Sequence, residues 1–307
     1  MVKRLLSADT SDVLAMSGAE LKQSIKASEG RVVLSENVVV HEPQDGITTS
    51  EIAAAFGADL ILLNALDVLH PLILGLYPGE GSLATAKEHQ DAIKRLQKLV
   101  GRPIGVNLEP VDPDADMAED RLEIPAGRQA SAQTMQAAEK LGLNFVVLTG
   151  NPGTGVTNAQ IAKNVKVAKQ NFSGLVIAGK MHGAGVNEPV VSKEAVQSFI
   201  EAGADVILVP AVGTVPGFDD AELKEIVTYA HDHGALVMST IGTSQEGSGT
   251  HFMENVGLRN KIAGVDIQHV GDAAWGIQSP IDNIFALSRT IRGDRHTITR
   301  MARSINR

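Results

Sequence analysis

The chain contains no cysteine. That absence excludes structural disulfides, thiol nucleophiles and cysteine-ligated metal. Aromatic residues are almost as scarce: one Trp, two Tyr and seven Phe in 307 residues leave the core to aliphatic side chains, in a chain that is 43% apolar. No apolar run approaches membrane-spanning length, and the opening MVKRLLSADTSDVLAMSG has no apolar leader stretch. A cytoplasmic protein with no membrane partner is therefore expected. The formal net charge is −9, and no basic stretch carries interleaved aromatics. Nucleic acid is accordingly not an expected partner. No Pro/Gly/Ser-rich linker divides the chain, so residues 1–307 read as one domain, with 1–29 as an N-terminal extension and 292–307 as a basic C-terminal tail. That tail carries Arg292, Arg295, Arg300, Arg303 and Arg307, which suit a solvated helix or an oligomer contact better than an anion site.

What is present is a repeated phrase. GADVILVPAVG from Gly203 has counterparts in GADLILLN from Gly57, GLNFVVLTG from Gly142 and AGVDIQHVG from Ala263. Each reads as a helix ending on glycine, a short buried strand and a polar or glycine-bearing exit, which is the grammar of a parallel sheet wound with helices. Eight strands are predicted in order: 31–38, 60–63, 103–110, 145–148, 174–185, 205–209, 235–247 and 265–276. The intervening helices are expected near 50–56, 84–99, 131–141, from about 158, from about 219, and over 280–291, behind a helical lead-in at 11–28. Eight such units in one undivided chain predict an α/β fold of the (β/α)8 TIM-barrel type, with function at the C-terminal ends of the strands. The long loop after Asn64 is a candidate lid or contact of a homo-oligomer.

Two loops have the character of phosphate seats. Gly242, Thr243 and Ser244 follow the seventh strand, and Gly271, Asp272 and Ala273 follow the eighth, at the pair of loops where barrels frequently hold phosphate. Asp272 would repel a phosphate and suits a sugar hydroxyl or the reacting carbon better. The loop GNPGTG over 150–155 is neither GxGxxG nor a P-loop, and its Asn151 and Thr154 read as substrate contacts. Lys180, at the exit of the fifth strand, could offset an enolate or phosphate charge or form a Schiff base. His182 is the candidate proton-transfer group, with His269 its rival, since sequence alone leaves open which side of the eighth strand faces inward. Glu36 and Glu109 leave strands one and three toward the same mouth and could divide acid and base roles or hold Mg²⁺. Asn64 and Asn107 are candidate substrate contacts there. HExxH does not occur, and His231-Asp232-His233 falls away from the strand ends. No such pattern supports a transition-metal site, so Mg²⁺ is the one metal considered. His41, His70, His231, His233 and His251 fall on loops or helix surfaces and are expected to be exposed.

The segments SENV, GVNLEPV, LTGNPGTGVTN, AGKMHGAG, PAVGTVPG, IGTSQEG, HVGDA and IRGDRHTITRMA together resemble a family of uncharacterised bacterial barrel proteins of unknown function, over nearly the whole chain. The chain is more distantly similar to phosphosugar-binding (ribulose-phosphate-binding) barrels, whose phosphate loops IGTS and VGDA would match. The resemblance implies a TIM barrel and no settled activity. The DxK pattern of that superfamily's decarboxylases is missing, because Ala178 and Gly179 precede Lys180. Isomerase or lyase chemistry on a small phosphorylated metabolite, through an enolate or imine, is the leading expectation. An aldolase with a covalent Lys180 and a non-catalytic barrel that binds a phosphorylated ligand are the alternatives.

Overall fold

A computed structural model describes residues 2–274 and 276–307. Trp275, included above in the eighth unit, lies outside the described residues. After short helices α1 (Thr10–Leu14) and α2 (Gly18–Lys26), strand and helix alternate: β1 (Val32–Val38), α3 (Thr49–Ala55), β2 (Leu60–Asn64), α4 (Ala92–Val100), β3 (Ile104–Leu108), α5 (Ala132–Leu141), β4 (Phe145–Leu148), α6 (Asn158–Asn171), β5 (Leu175–Gly179), α7 (Lys193–Ala202), β6 (Val206–Pro210), α8 (Asp220–Asp232), β7 (Leu236–Ile241), α9 (Thr250–Ala263), β8 (Ile267–Val270) and α10 (Ile281–Ala302). The strands pair in sequence order, all parallel, and β8 closes on β1 through Val32 and Ile267. This is the expected (β/α)8 barrel. No helix among the described residues is long and apolar enough to cross a membrane.

Strand alternation divides the apolar residues into two cores. Val32, Leu34, Leu60, Leu62, Val147, Ile177, Leu208, Met238 and Ile267 pack in the lumen with Phe145, while Val33, Ile61, Val106, Val146, Val176, Ile207 and Val237 pack outward under the helices. Gly105 makes room for Phe145, the one lumen aromatic among the described residues: a Cβ there would lie 2.2 Å from its ring. α2 closes the N-terminal end, with Leu21 and Ile25 buried in the lumen cluster. Each contributes about 1.5–3 kcal/mol by that burial.

The repeated phrase has a structural purpose at that same end. Gly57, Gly142, Gly203 and Gly264 all adopt positive φ where α3, α5, α7 and α9 finish. Two residues later, Asp59, Asn144, Asp205 and Asp266 accept the amides of Val33, Ile104, Val176 and Val237, at 2.9, 2.9, 3.1 and 2.9 Å. Each residue thus seals the seam between its own strand and the strand before it. The partners match in charge. Asp59 meets Arg292 and Arg300 at 2.5 and 2.7 Å, Asp205 meets Lys169 and Lys22 at 2.9 and 3.4 Å, and Asp266 meets His231 at 2.8 Å. The neutral Asn144 meets the neutral Gln97 amide at 3.0 Å.

Three expectations change. The helix placed at 84–99 begins only at Ala92, because Ala84 to Asp91 offers no apolar stripe to bury and the stripe starts with Ile93, Leu96 and Val100. The loop after Asn64 buries Leu66, Val68, Ile73 and Leu76 in the protein's own outer core. The C-terminal arginines are not uniformly solvated: α10 continues to Ala302 through a kink at Gly293, and Arg292 and Arg300 are buried on Asp59.

Candidate active site

Lumen parity carries a polar layer to the C-terminal end of the barrel. Glu36 continues the Val32 and Leu34 row of β1, Asn64 continues Leu60 and Leu62, Asn107 shares the Gly105 side of β3, and Thr149 follows Val147. Ile267 faces the lumen, so His269 does too, whereas Gln268 turns outward to Asn260 at 2.7 Å. The parity left open above is thereby settled for His269. Glu36, Asn64, Asn107 and Thr149 ring a cavity of about 130 Å³ that is also lined by Asn151, His182, the turn at Gly242 to Ser244, Glu246, Gly271 and Asp272, while His269 stands behind Glu36.

Two hydrogen-bonded chains organise this mouth. In the first, Glu36 receives Asn107 Nδ2 at 2.5 Å on Oε1, and its Oε2 lies 3.0 Å from His269 Nε2. In the second, Asn64 Nδ2 donates to Asp272 Oδ2 at 2.9 Å, and Asn64 and Asn151 exchange amide hydrogen bonds at 3.1 Å. Asn151 also donates to Glu109 through its backbone amide and its side chain, both at 2.8 Å, and Arg128 closes on Glu109 Oε1 at 2.9 Å. Glu109 is therefore the anchor of the 150–155 loop, one shell behind the cavity. Thr154 serves the same loop, donating to the Asn151 carbonyl at 2.8 Å.

The electrostatics of the cavity are those of crowded carboxyls. No lysine or arginine is among its lining residues. Burial, reinforced by the charges of Glu36 and Glu246, raises the Asp272 pKa to about 8, so this carboxyl is predominantly protonated at neutral pH. Burial likewise raises Glu246. Burial lowers His182, whose Nδ1 accepts the Ala184 amide at 3.1 Å. The imidazole is then neutral with its proton on Nε2, a donor rather than a cation.

Sequence reasoning passed over Glu246. It lies three residues beyond Thr243, is 1% exposed, and sets Oε1 2.7 Å from the Ala273 amide. A Cβ on Gly271 would meet the same oxygen at 3.1 Å. A carboxylate of the protein thus sits where the loop after β8 would offer an amide to phosphate. The loop after β7 differs: Thr243 and Ser244 take positive φ of 59° and 70°. Among the described residues their amides have no acceptor in the protein. Two successive non-glycine residues in this region cost roughly 1–2 kcal/mol each.

Lys180 is not brought into this group. Its ammonium is buried 2.8 Å from Glu188 Oε1, which also accepts the Asn158 amide at 2.7 Å, and Lys180 does not line the cavity. Burial lowers its pKa against the upward pull of Glu188. Several buried polar atoms at the mouth have no partner among the described residues: Asn107 Oδ1, Thr149 Oγ1, Glu246 Oε2 and His269 Nδ1. Such groups are costly unless something polar meets them. Among the described residues, no three His, Asp or Glu side chains converge as a metal cage.

A family model described as a domain of unknown function, DUF7916, matches residues 6–307. No curated protein matches the chain. Among solved structures it is similar to 2,3-dimethylmalate lyase, described as a member of the PEP mutase/isocitrate lyase superfamily, with 12% identity, a TM-score of 0.50, and coverage of 84% of this chain and 82% of that one. It is also similar to thiamine phosphate pyrophosphorylase from Pyrococcus furiosus, with 16% identity and a TM-score of 0.47 over 86% and 96% of the two chains. At these identities the likeness is one of fold. The expected kinship with an uncharacterised barrel family stands, and the narrower assignment to ribulose-phosphate-binding barrels gives way to a broader relation among barrels.

Proposed function

The chain belongs to the DUF7916 family, and from the chemistry at its mouth we propose an enzyme that moves a proton on a small phosphorylated metabolite through an enolate, as an isomerase or lyase. The observation that carries this reading is Asp272: a carboxyl held protonated to about pH 8, in one small cavity with Glu36. Environments that push two acids apart divide their roles.

In this reading Glu36, oriented by Asn107 and His269, takes a proton from the carbon beside a carbonyl. The C–H electrons become the enolate double bond. The carbonyl oxygen receives the Asp272 proton, with His182 Nε2–H as a second donor. Where that carbon bears a hydroxyl, returning the Glu36 proton to the former carbonyl carbon while the hydroxyl gives its proton back to Asp272 completes an isomerisation. In a lyase reaction Glu36 instead takes the proton of a hydroxyl on the carbon β to the carbonyl. The α–β carbon–carbon bond breaks with its electrons forming the enolate that Asp272 protonates, and the β carbon leaves as an aldehyde or ketone. Only donors matched to the charge that develops accelerate such a step.

The phosphate is proposed to rest on the Thr243 and Ser244 amides, since Glu246 holds the Ala273 amide. A dianion entering a mouth without lysine or arginine calls for a counter-ion. Mg²⁺ would be held by Glu246 Oε2 and Asn107 Oδ1, two acceptors without donors, and would offset phosphate charge against the carboxyls. An imine route through Lys180 requires its ammonium to leave Glu188, and no observation favours that.

The test is a thermal-shift screen of triose phosphates, sugar phosphates, phosphoenolpyruvate and inorganic phosphate, each with and without Mg²⁺. Any compound that binds the native state is then incubated with the enzyme in D2O, and carbon-bound deuterium is followed by NMR. Stabilisation by a phosphorylated compound, with deuterium uptake by wild type and not by Asp272→Asn, is the expected result. If no phosphorylated compound shifts the melting temperature at saturation, the phosphorylated-substrate reading is lost.

A further inference from the structure

A second, larger cavity lies at the opposite end of the barrel. It has a volume of about 780 Å³ and runs between α2 and the turns that enter β5 to β8. Four lysines line it, Lys22, Lys26, Lys169 and Lys261, together with His231, against the three carboxylates Glu29, Asp205 and Asp266. In a chain of net charge −9 this is a local reversal of sign.

The carboxylates do not neutralise it. Asp205 is shared by Lys22 at 3.4 Å and Lys169 at 2.9 Å, and Oδ2 also takes the Val176 amide. Asp266 is divided between His231 and the Val237 amide. Lys261 donates to the Glu29 backbone carbonyl at 3.4 Å and has no ion pair among the described residues, and burial beside Arg31 lowers its pKa. The proximity of Asp266 raises that of His231. The α2 N-terminus supplies a second, independent source of positive potential: Gly18 and Ala19, the first residues of this nine-residue helix, line the cavity after the Ser17 cap. Their amides precede the first intrahelical hydrogen bond and have no acceptor among the described residues, which leaves them as donors for an anion.

We propose that this cavity binds a compact phosphate-bearing polyanion at the closed end of the barrel, on Lys22, Lys169, Lys26, Lys261 and the amides of Gly18 and Ala19. A single phosphate would fill a small part of 780 Å³, so two or more linked phosphoryl groups suit it best. Barrel chemistry belongs to the other end. The ligand here is therefore a regulator or stabiliser, and the site stands independently of the function proposed above.

Isothermal titration of pyrophosphate, with inorganic phosphate alongside, tests it on the full chain. The variants are Lys22→Gln/Lys169→Gln, Lys26→Gln/Lys261→Gln and, for the mouth, Asp272→Asn. The second pair leaves the Asp205 contacts intact and guards against a folding defect in the first. We expect pyrophosphate to bind more tightly than phosphate, to weaken at least tenfold in both lysine pairs and to be unchanged in Asp272→Asn. No heat from the wild type, affinity unaltered in Lys26→Gln/Lys261→Gln, or a loss confined to the mouth variant would each overturn the proposal.

Discussion

Lys180 holds Glu188 at 2.8 Å with its own side chain fully buried, while the Glu188 side chain keeps 24% exposure. The pair ties the segment after β5 to the start of α6, whose Asn158 amide shares the same carboxylate oxygen. Removing the two partners has unequal costs. Glu188→Ala strands a buried ammonium and is expected to destabilise by about 3 kcal/mol; Lys180→Met strands only a partly solvated carboxylate and should cost less. Urea midpoints for the two variants measure the order. Borohydride with a carbonyl substrate should leave no adduct on Lys180, and a trapped adduct there would revive the imine route.

Asp272 makes stability and activity depend on pH in a defined direction. Its folded pKa of about 8 lies above the ordinary 3.8, so between those values the unfolded chain has lost a proton that the native state keeps. Stability is then fully present below about pH 4 and falls as pH rises toward 8. Asp272→Asn removes that slope. Relative to wild type it should gain melting temperature progressively between pH 5 and 8, and lose roughly 10²–10⁴ in kcat, the range of a positioned proton donor. A variant whose stability relative to wild type is the same at pH 5 and pH 8 would show that this carboxyl is ionised throughout.

The barrel was readable from the recurring helix–glycine–strand phrase because that phrase encodes a local event, helix termination on Gly203 and its counterparts, which sequence reports well. The role of the residue two places later was not readable, since an Asp entering a strand looks the same whether it seals a seam or points into the lumen. The site divides similarly. Glu36, Asn64 and Asn107, candidates from strand ends alone, do line the cavity. His269 needed the parity of β8, and Val265 in the outer core misleads because the strand begins only at Ile267. Glu246 was missed because its partner, the Ala273 amide, belongs to a different loop, and only closure of β7 against β8 brings them together. Lys180 looked catalytic from its place after a strand, but Glu188, eight residues on, claims it.

His231 and Asp266 give a second pH dependence of opposite origin. The neighbouring carboxylate raises His231 above 6.5. Its stabilisation is therefore complete below pH 6.5 and disappears as pH rises through the folded pKa. With the imidazole side chain 39% exposed, solvent screening limits the pair to about 1 kcal/mol or less. Wild type and His231→Gln should differ in melting temperature at pH 6 and converge by pH 9. A difference that persists unchanged at pH 9 would mean that the contact is packing and not charge.

Asp59 and Asp205 occupy equivalent places in the repeat, yet their loss should differ in size. Both accept the first amide of the preceding seam, from Val33 and Val176, so that part of the cost is shared. The cations differ. Arg292 and Arg300 are buried on Asp59, with side chains 0% and 2% exposed, and they also donate to other groups of the protein, Arg292 to the Gly57 and Arg31 carbonyls and the Ser288 hydroxyl, and Arg300 to the Leu5 carbonyl. Lys22 and Lys169, at 27% and 38%, can turn to water when Asp205 is removed. Asp59→Asn leaves two guanidinium groups in a dry seam with Arg102 nearby, whose own pKa burial and Arg300 have already lowered to about 9. A cost of about 3–5 kcal/mol is expected there, against about 1 kcal/mol for Asp205→Asn. Because the Asp59 cluster joins α10 to β1 and β2, its loss should also free the C-terminal helix first. Hydrogen exchange at Arg292 to Ala302 in Asp59→Asn should accelerate ahead of exchange in β5 and β6. Equal destabilisation by the two substitutions, or uniform exchange across the barrel, would show that the seam amide and not the buried charge sets the cost.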